Sequence, residues 1–383
     1  MPTISRASLA AGGSRRTDGI ARPIQPGAIN TSDQPCEQSE NRMPTNASPV
    51  RWGILGTARI ARKAATAIRL AEGAELTAIA SRDARRAADW AAEHGAERSY
   101  GNYQALIDDP DIDAVYLPLP PALHGVWTAA AASAGKHVLS EKPLAVDTTM
   151  AREMIDVCRR HGVQLMEGTM WWYHPRTPMM QQLLRDGSLG RLRRVTAAFT
   201  SQWDSNLQKN LRMDRSLGGG CLRDLGWYCV GAAIWAFDDL PEAVWATGRY
   251  VNDVETNLSA LLWFSNERVA SFDCGFDVGL RKWLEVAGSD ASIVCDDFTR
   301  PWMPESARFW VHNAAGQVAC HQAPTAAQDV LMFEHFGRLI HSKTIEAKWA
   351  EGGLRVQHVI DALDRSARSG QPVDVPPLDL PKE

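Results

Sequence analysis

Three short segments carry groups suited to holding a phosphate, a ribose and a proton. The first is Gly56-Thr57-Ala58-Arg59-Ile60-Ala61, which follows an apolar run at 51–55 and opens a helix-compatible stretch. That is the position of a dinucleotide fingerprint. Gly56 permits a tight turn, and the free N–H groups and positive dipole end of a helix start suit a pyrophosphate. Ala58 and Ala61 stand where G-x-G-x-x-G has its second and third glycines, and Ala58 adds a methyl group where the backbone should approach phosphate. An ordinary strand–helix turn is the competing reading. The second segment is Ser81-Arg82, at the end of the next strand. A cofactor with a free ribose 2′-hydroxyl usually meets Asp or Glu there. An arginine instead takes a 2′-phosphate through two hydrogen bonds and stacks on adenine. This favours NADP over NAD, with NAD still possible. The alternative is a solvated Arg82, with Asp83 capping the next helix. The third segment is Ser140-Glu141-Lys142-Pro143. Pro143 restricts Lys142 to an extended backbone, and an ammonium is suited to lowering the pKa of a nearby hydroxyl. A surface Lys–Glu pair is the alternative.

These segments need a frame, and the pattern around them supplies one. Strands are expected at 51–55, 75–81, 113–120, 137–145 and 163–170. Helices are expected at 58–73, 83–95, 102–110, 123–136 and 150–162. Alternation of this kind with short connections implies an α/β domain with a parallel, doubly wound sheet, which binds ligands at the carboxyl ends of its strands. From 171 onward the pattern changes to strands at 193–201, 243–251, 257–265, 268–275, 281–288, 291–296 and 307–313, several with period-two alternation. Eleven of the fourteen tryptophans lie at or after Trp171, so an aromatic-rich sheet or cleft is expected there.

Composition narrows the class. The 383 residues are 45% apolar and 22% charged, with a net charge of −4. That is ordinary for a globular protein of about two domains, and it argues against a nucleic-acid partner, which needs a dense basic surface. No apolar run approaches the ~18 residues of a membrane span. Seven cysteines at unrelated spacings give neither a disulfide framework nor a metal-ligand grouping, so a reducing, cytoplasmic setting without a metal is expected. Residues 1–48 are rich in Ser, Gly, Pro, Asn and Gln and are expected to be a disordered tail. Met43 is the expected true start of the chain. Arg15-Arg16 lacks the apolar segment of an export signal.

Further motifs continue the series. Leu117-Pro-Leu-Pro-Pro-Ala-Leu-His124, Ala134-Gly-Lys-His-Val-Leu-Ser-Glu-Lys-Pro-Leu-Ala145, Met170-Trp-Trp-Tyr-His-Pro-Arg-Thr177 and Asn210–Tyr228 occur in order. Together with the glycine turn they resemble the Gfo/Idh/MocA oxidoreductases over essentially 50–370. The A-G-K-H-V-x-x-E-K-P segment is the most specific.

The resemblance implies an NAD(P)-binding Rossmann domain at 49–170. It also implies a C-terminal α+β domain at 171–383, with a large, mostly antiparallel sheet for substrate binding and dimerisation. The expected assembly is a homodimer or a dimer of dimers, acting on a small carbohydrate-like substrate. Carried over by position, Lys142, Asp224 and Tyr228 are the catalytic set, with Asp224 and Tyr228 at i, i+4 on one helical face. Tyr228 would be the acid/base, Lys142 would lower its pKa, and Asp224 would hold a substrate hydroxyl or orient Lys142. Pro120 and His124 would line the nicotinamide site beside Glu141. Arg212 and His174 are candidates for substrate contacts, with surface and structural roles as the alternatives. Trp172 replaces an arginine of close relatives. Most of the family has His at position 228; the Tyr form resembles the glucose–fructose oxidoreductase and dihydrodiol/D-xylose dehydrogenase branch, which uses NADP. Hydride transfer between a sugar or polyol hydroxyl and nicotinamide is the implied reaction. An NAD-dependent glycosidase and a non-catalytic cofactor sensor are the other readings within the resemblance.

Overall fold

A computed structural model describes residues 48–203, 210–301 and 303–379, so nearly all of the expected tail lies outside the described residues. The first layer is a parallel sheet of β1 (Val50–Leu55), β2 (Ala74–Ala80), β3 (Arg98–Tyr100), β4 (Ala114–Leu117), β5 (His137–Ser140) and β6 (Leu165–Glu167), in the order β3-β2-β1-β4-β5-β6. The crossovers are α1 (Arg59–Leu70), α2 (Ala84–His94), α3 (Tyr103–Ile107), α4 (His124–Ser133) and α5 (Thr148–Arg160). The strand order reverses between β1 and β4, and the crevice at that switch point is where such sheets bind ligands. β4 is buried along its whole length, and so is β1 apart from Arg51, because helices cover both faces. On α1, Ala61, Ala64, Ala65, Ala67 and Ile68 form the buried stripe. Asp83 caps α2 by accepting from the Arg86 N–H, and Gly95 closes it at φ 76°.

Five strands were expected in this layer and six are present. The extra one, β3, is a three-residue edge strand of Arg98, Ser99 and Tyr100, too short and too exposed for any alternation to register. The expected strands 113–120, 137–145 and 163–170 end early, at Leu117, Ser140 and Glu167, and the remainder of each forms the loops that carry the candidate site.

The second layer has nine strands: β7 (Leu192–Thr200), β8 (Ala243–Val251), β9 (Val254–Phe264), β10 (Arg268–Gly275), β11 (Arg281–Gly288), β12 (Ala291–Cys295), β13 (Arg308–Asn313), β14 (Val318–Gln322) and β15 (Val373–Asp374). Their order is β14-β13-β12-β11-β7-β10-β9-β8-β15, and every pairing is antiparallel except β7 with β10. The helices of this half are α6 (Arg176–Arg185), α7 (Trp227–Phe237), α8 (Gln328–Ser342) and α9 (Lys348–Ser369). One face of the sheet packs on α7 and α9. By register, the other carries Trp245, Trp263, Trp283 and Trp310, Trp263 exposed and the others partly so. The chain then returns to the first layer. On α8, Met332, Phe333, Phe336 and Leu339 pack against Trp52, Ile54 and Tyr116, with Phe333 edge-on to Trp52 at 5.0 Å. All described residues belong to one compact unit. No helix among them is long and apolar enough to cross a membrane.

Candidate active site

β5 ends at Ser140 and delivers Glu141 and Lys142 to the crevice, where the Lys142–Pro143 peptide is cis. Glu141 is buried. Its Oε1 accepts from the Tyr116 hydroxyl at 2.5 Å and its Oε2 from the Lys142 N–H at 3.2 Å, so it anchors the lysine's backbone. Burial raises its pKa, against the opposing pull of Tyr116 and Lys142. Lys142 reaches across to the second layer and donates to Asp224 Oδ1 at 2.6 Å and to the Asp224 carbonyl at 2.8 Å.

Asp224 is brought there by a glycine-dependent fold. Arg212 lies in a short 3-10 turn, Leu211–Met213, and the Gly220 N–H donates to its carbonyl. A Cβ on Gly219 would come within 2.4 Å of that carbonyl oxygen, so the close approach requires glycine. Gly220, at φ 115°, lies against the buried Glu255 carboxyl. A π-helical turn, Leu222–Gly226, then leads into α7. The i, i+4 geometry expected of one α-helix is therefore corrected: Asp224 sits in the wide turn and Tyr228 in the helix after it. Such π-turns are frequent at functional sites.

The result is a charged chain. Arg212 Nε donates to Asp224 Oδ2 at 2.6 Å, so each carboxylate oxygen holds one cation. Burial alone would raise Asp224; Lys142 and Arg212 outweigh it and hold the carboxyl down to about 2. Burial works against the Lys142 ammonium, but Asp224 and Tyr228 raise its pKa. Lys142 Nζ lies 5.1 Å from the centre of the Tyr228 ring, and Phe199 meets the same ring edge-on. Among the described residues the Tyr228 hydroxyl has no hydrogen-bond partner. Its pKa is raised, mainly by burial; Lys142 lowers it, while Glu141, Asp224 and Glu167 push it up. The expected effect of Lys142 thus has the right sign, and desolvation exceeds it.

At the other end of the crevice, Gly56 takes φ 113° and α1 starts with neither a side-chain cap nor an acidic residue in its first turn. Thr57, Ala58 and Ile60 are partly exposed and Arg59 is exposed, so the helix start is open to an anion. Ser81 is buried, and its Oγ accepts from the Asp83 N–H and from Arg86 Nε, both at 3.3 Å. Arg82 is exposed, with no hydrogen bond or ion pair among the described residues. These residues fit a phosphate-bearing dinucleotide. Arg86 of α2, which no sequence motif marked, brings a second guanidinium beside Ser81.

Three candidates have structural partners of their own. His124 is fully buried, with Nδ1 3.1 Å from the Leu144 carbonyl and Nε2 2.9 Å from that of Leu119. As a neutral imidazole it donates to one of these carbonyls and lies against the other, between two loops, while Pro120, partly exposed, starts the short turn beside it. His174 accepts from the Arg176 N–H at 3.1 Å, and burial with the Arg176 charge pushes its pKa down to about 4. It is a neutral partner for the start of α6. Trp172 stacks on Trp171 at 4.1 Å. No hydrogen bond, ion pair or ring contact among the described residues joins His124, His174 or Trp172 to Lys142, Asp224 or Tyr228. Trp203, which no sequence motif marked, lies 5.0 Å from the Arg212 guanidinium.

The fold and this cleft define an oxidoreductase with a dinucleotide-binding sheet, and the comparisons agree. Residues 50–169 match the oxidoreductase family with an NAD-binding Rossmann fold named for GFO, IDH and MocA, and residues 178–294 match that family's C-terminal domain. The chain belongs to the GFO/IDH/MocA oxidoreductase family. It is 37% identical over 332 residues to an uncharacterized oxidoreductase of Rhizobium meliloti, covering 84% of this chain and 98% of that protein. It is 33% identical over 326 residues to an NADP(+) D-xylose 1-dehydrogenase of Haloferax volcanii, covering 85% and 99%. The crystal structure of a 3-ketoreductase from Actinomadura kijaniata with NADP and TDP-benzene superposes with a TM-score of 0.77 at 32% identity, covering 83% of this chain and 98% of that one.

Proposed function

We propose that this oxidoreductase transfers hydride between NADP and a sugar- or polyol-type hydroxyl. The observation that carries the reading is the meeting of Lys142, Asp224 and Tyr228 at the strand ends. The NADP-dependent D-xylose dehydrogenase and the NADP-bound ketoreductase among its relatives support both the cofactor and the substrate class.

The nicotinamide, when bound, supplies the hydride chemistry. The chain's own residues bind and manage one proton. The α1 start, from Gly56 to Ile60, holds the pyrophosphate. Ser81, Arg82 and Arg86 hold the 2′-phosphate. The Tyr228 phenolate takes the substrate's O–H proton on oxidation, and the Tyr228 hydroxyl gives that proton back on reduction. Lys142 stabilises the phenolate, and Asp224 fixes Lys142 rather than binding substrate. Arg212 fixes the second oxygen of Asp224 and turns its half-exposed guanidinium to the substrate side.

The reading assigns cofactor binding to 49–170 and substrate binding and assembly to 171–383. Four tryptophans on the uncovered sheet face support a homo-oligomer built on that face. Free cysteines support a cytoplasmic setting. The test is a panel of aldoses, polyols and dihydrodiols followed at the NADPH absorbance band, with NADP and with NAD. Turnover of at least one sugar or polyol with preference for NADP is expected. No turnover on the whole panel, or preference for NAD, contradicts the reading.

A further inference from the structure

Beneath the charged chain lies a carboxyl that the mechanism above leaves unused. Glu167, the last residue of β6, is buried. Its Oε1 accepts from Trp227 Nε1 at 2.7 Å and from the Thr169 hydroxyl. Its Oε2 faces Gly353 of α9, where an added Cβ would come within 2.4 Å. One carboxyl therefore joins three elements: the last strand of the first sheet, the first residue of α7, and α9.

Trp227 immediately precedes Tyr228. Successive helical residues point about 100° apart, so any roll or slip of α7 moves both side chains together. The Tyr228 hydroxyl has no hydrogen-bonded anchor of its own among the described residues; its ring packs against the core, with Lys142 and Phe199 among its neighbours. Lys142 ties the preceding π-turn to the cofactor-binding layer at Asp224, and the Trp227 indole supplies the directional hydrogen bond to that layer from the residue next to Tyr228 itself.

We propose that Glu167 is a positioning residue for Tyr228, acting through the Trp227 indole to hold the start of α7 on the end of β6. The inference rests on Tyr228 being the acid/base. Burial pushes the Glu167 carboxyl up to about 7; its bonds from Thr169 and Trp227 pull it down, Glu141 pushes it up and Lys142 pulls it down. Tyr173 and Tyr228 also feel its charge. The strength of the tie therefore falls as pH drops below neutrality, because a carboxylate is a stronger acceptor than a carboxylic acid.

The test uses the full chain with two substitutions, Trp227→Phe and Glu167→Gln. Trp227→Phe keeps an aromatic ring but removes the donor. A fall in kcat of about tenfold or more with the dissociation constant for NADP unchanged is expected, and a smaller fall overturns the proposal. Glu167→Gln keeps an acceptor oxygen, so it should lose much less kcat; a loss equal to that of Trp227→Phe overturns the route through the indole. Independently of turnover, the indole proton resonance of Trp227 in labelled protein, assigned by its loss in Trp227→Phe, should move upfield in Glu167→Gln. An unmoved resonance overturns the contact. A shifted resonance in a protein inactive on every substrate would instead sink the acid/base reading and leave the tie standing.

Discussion

Asp224 and Glu255 lie on either side of the same glycine turn, both buried, and they titrate in opposite directions. Asp224 is held down to about 2, while Glu255 is pushed up to about 7. Burial disfavours both carboxylates. Asp224 has a cation on each oxygen, whereas among the described residues Glu255 has one buried oxygen with no hydrogen-bond partner and no ion pair. The partner, not the depth, decides the charge state. The turn thus joins a permanently charged side, suited to fixing Lys142, to a side that changes charge near neutral pH.

The charged side predicts the largest effect. Asp224→Asn leaves Lys142 and Arg212 facing each other without their counter-ion, so kcat/KM should fall by about 10²–10³, the scale of an unpaired buried charge. Because Asp224 stays ionised to about pH 2, the acid limb of the pH–rate profile should not follow it; a limb that moves with this substitution near neutrality would break the contrast.

The other side predicts a stability effect. Glu255 has a folded pKa of about 7 against an ordinary 4.5, so the folded chain binds its proton more tightly than the unfolded chain does. Stability is therefore lost as pH rises from about 4.5 through about 7, by an amount on the order of 1–3 kcal/mol. Glu255→Gln should raise Tm at pH 8 relative to the unsubstituted protein and give no such gain at pH 5. Equal shifts at both pH values would show that the carboxyl is not the cause.

The smallest effect belongs to the phosphate end. Arg82→Ala should weaken NADP by about tenfold and NAD hardly at all, measured as dissociation constants, since one exposed charge-assisted contact is lost. Equal weakening of both cofactors would remove the 2′-phosphate contact.

The same contrast governs what the sequence made legible. Alternation and spacing marked the buried parallel strands and most of the antiparallel ones, with 243–251, 268–275 and 281–288 matching residue for residue. They did not mark β14, whose residues are nearly all exposed, or β15, which has two residues. Motif position marked Lys142, Asp224 and Tyr228. Nothing local marked Tyr116, Glu167 or Trp203, because their importance comes from partners distant in sequence. His124 and His174 also have buried backbone partners, which a histidine's place in a motif does not reveal. The direction of the Tyr228 pKa was likewise invisible, since it depends on burial and on three carboxylates from separate elements.

The central claim is that the Lys142 ammonium serves proton transfer at Tyr228 and not cofactor binding. The most direct measurement is Lys142→Ala, assayed for turnover with the best substrate of the panel and for its NADP dissociation constant. Turnover should fall by about 10² or more while NADP binding stays nearly unchanged. Turnover retained in that variant, or lost only in step with NADP binding, would contradict the account.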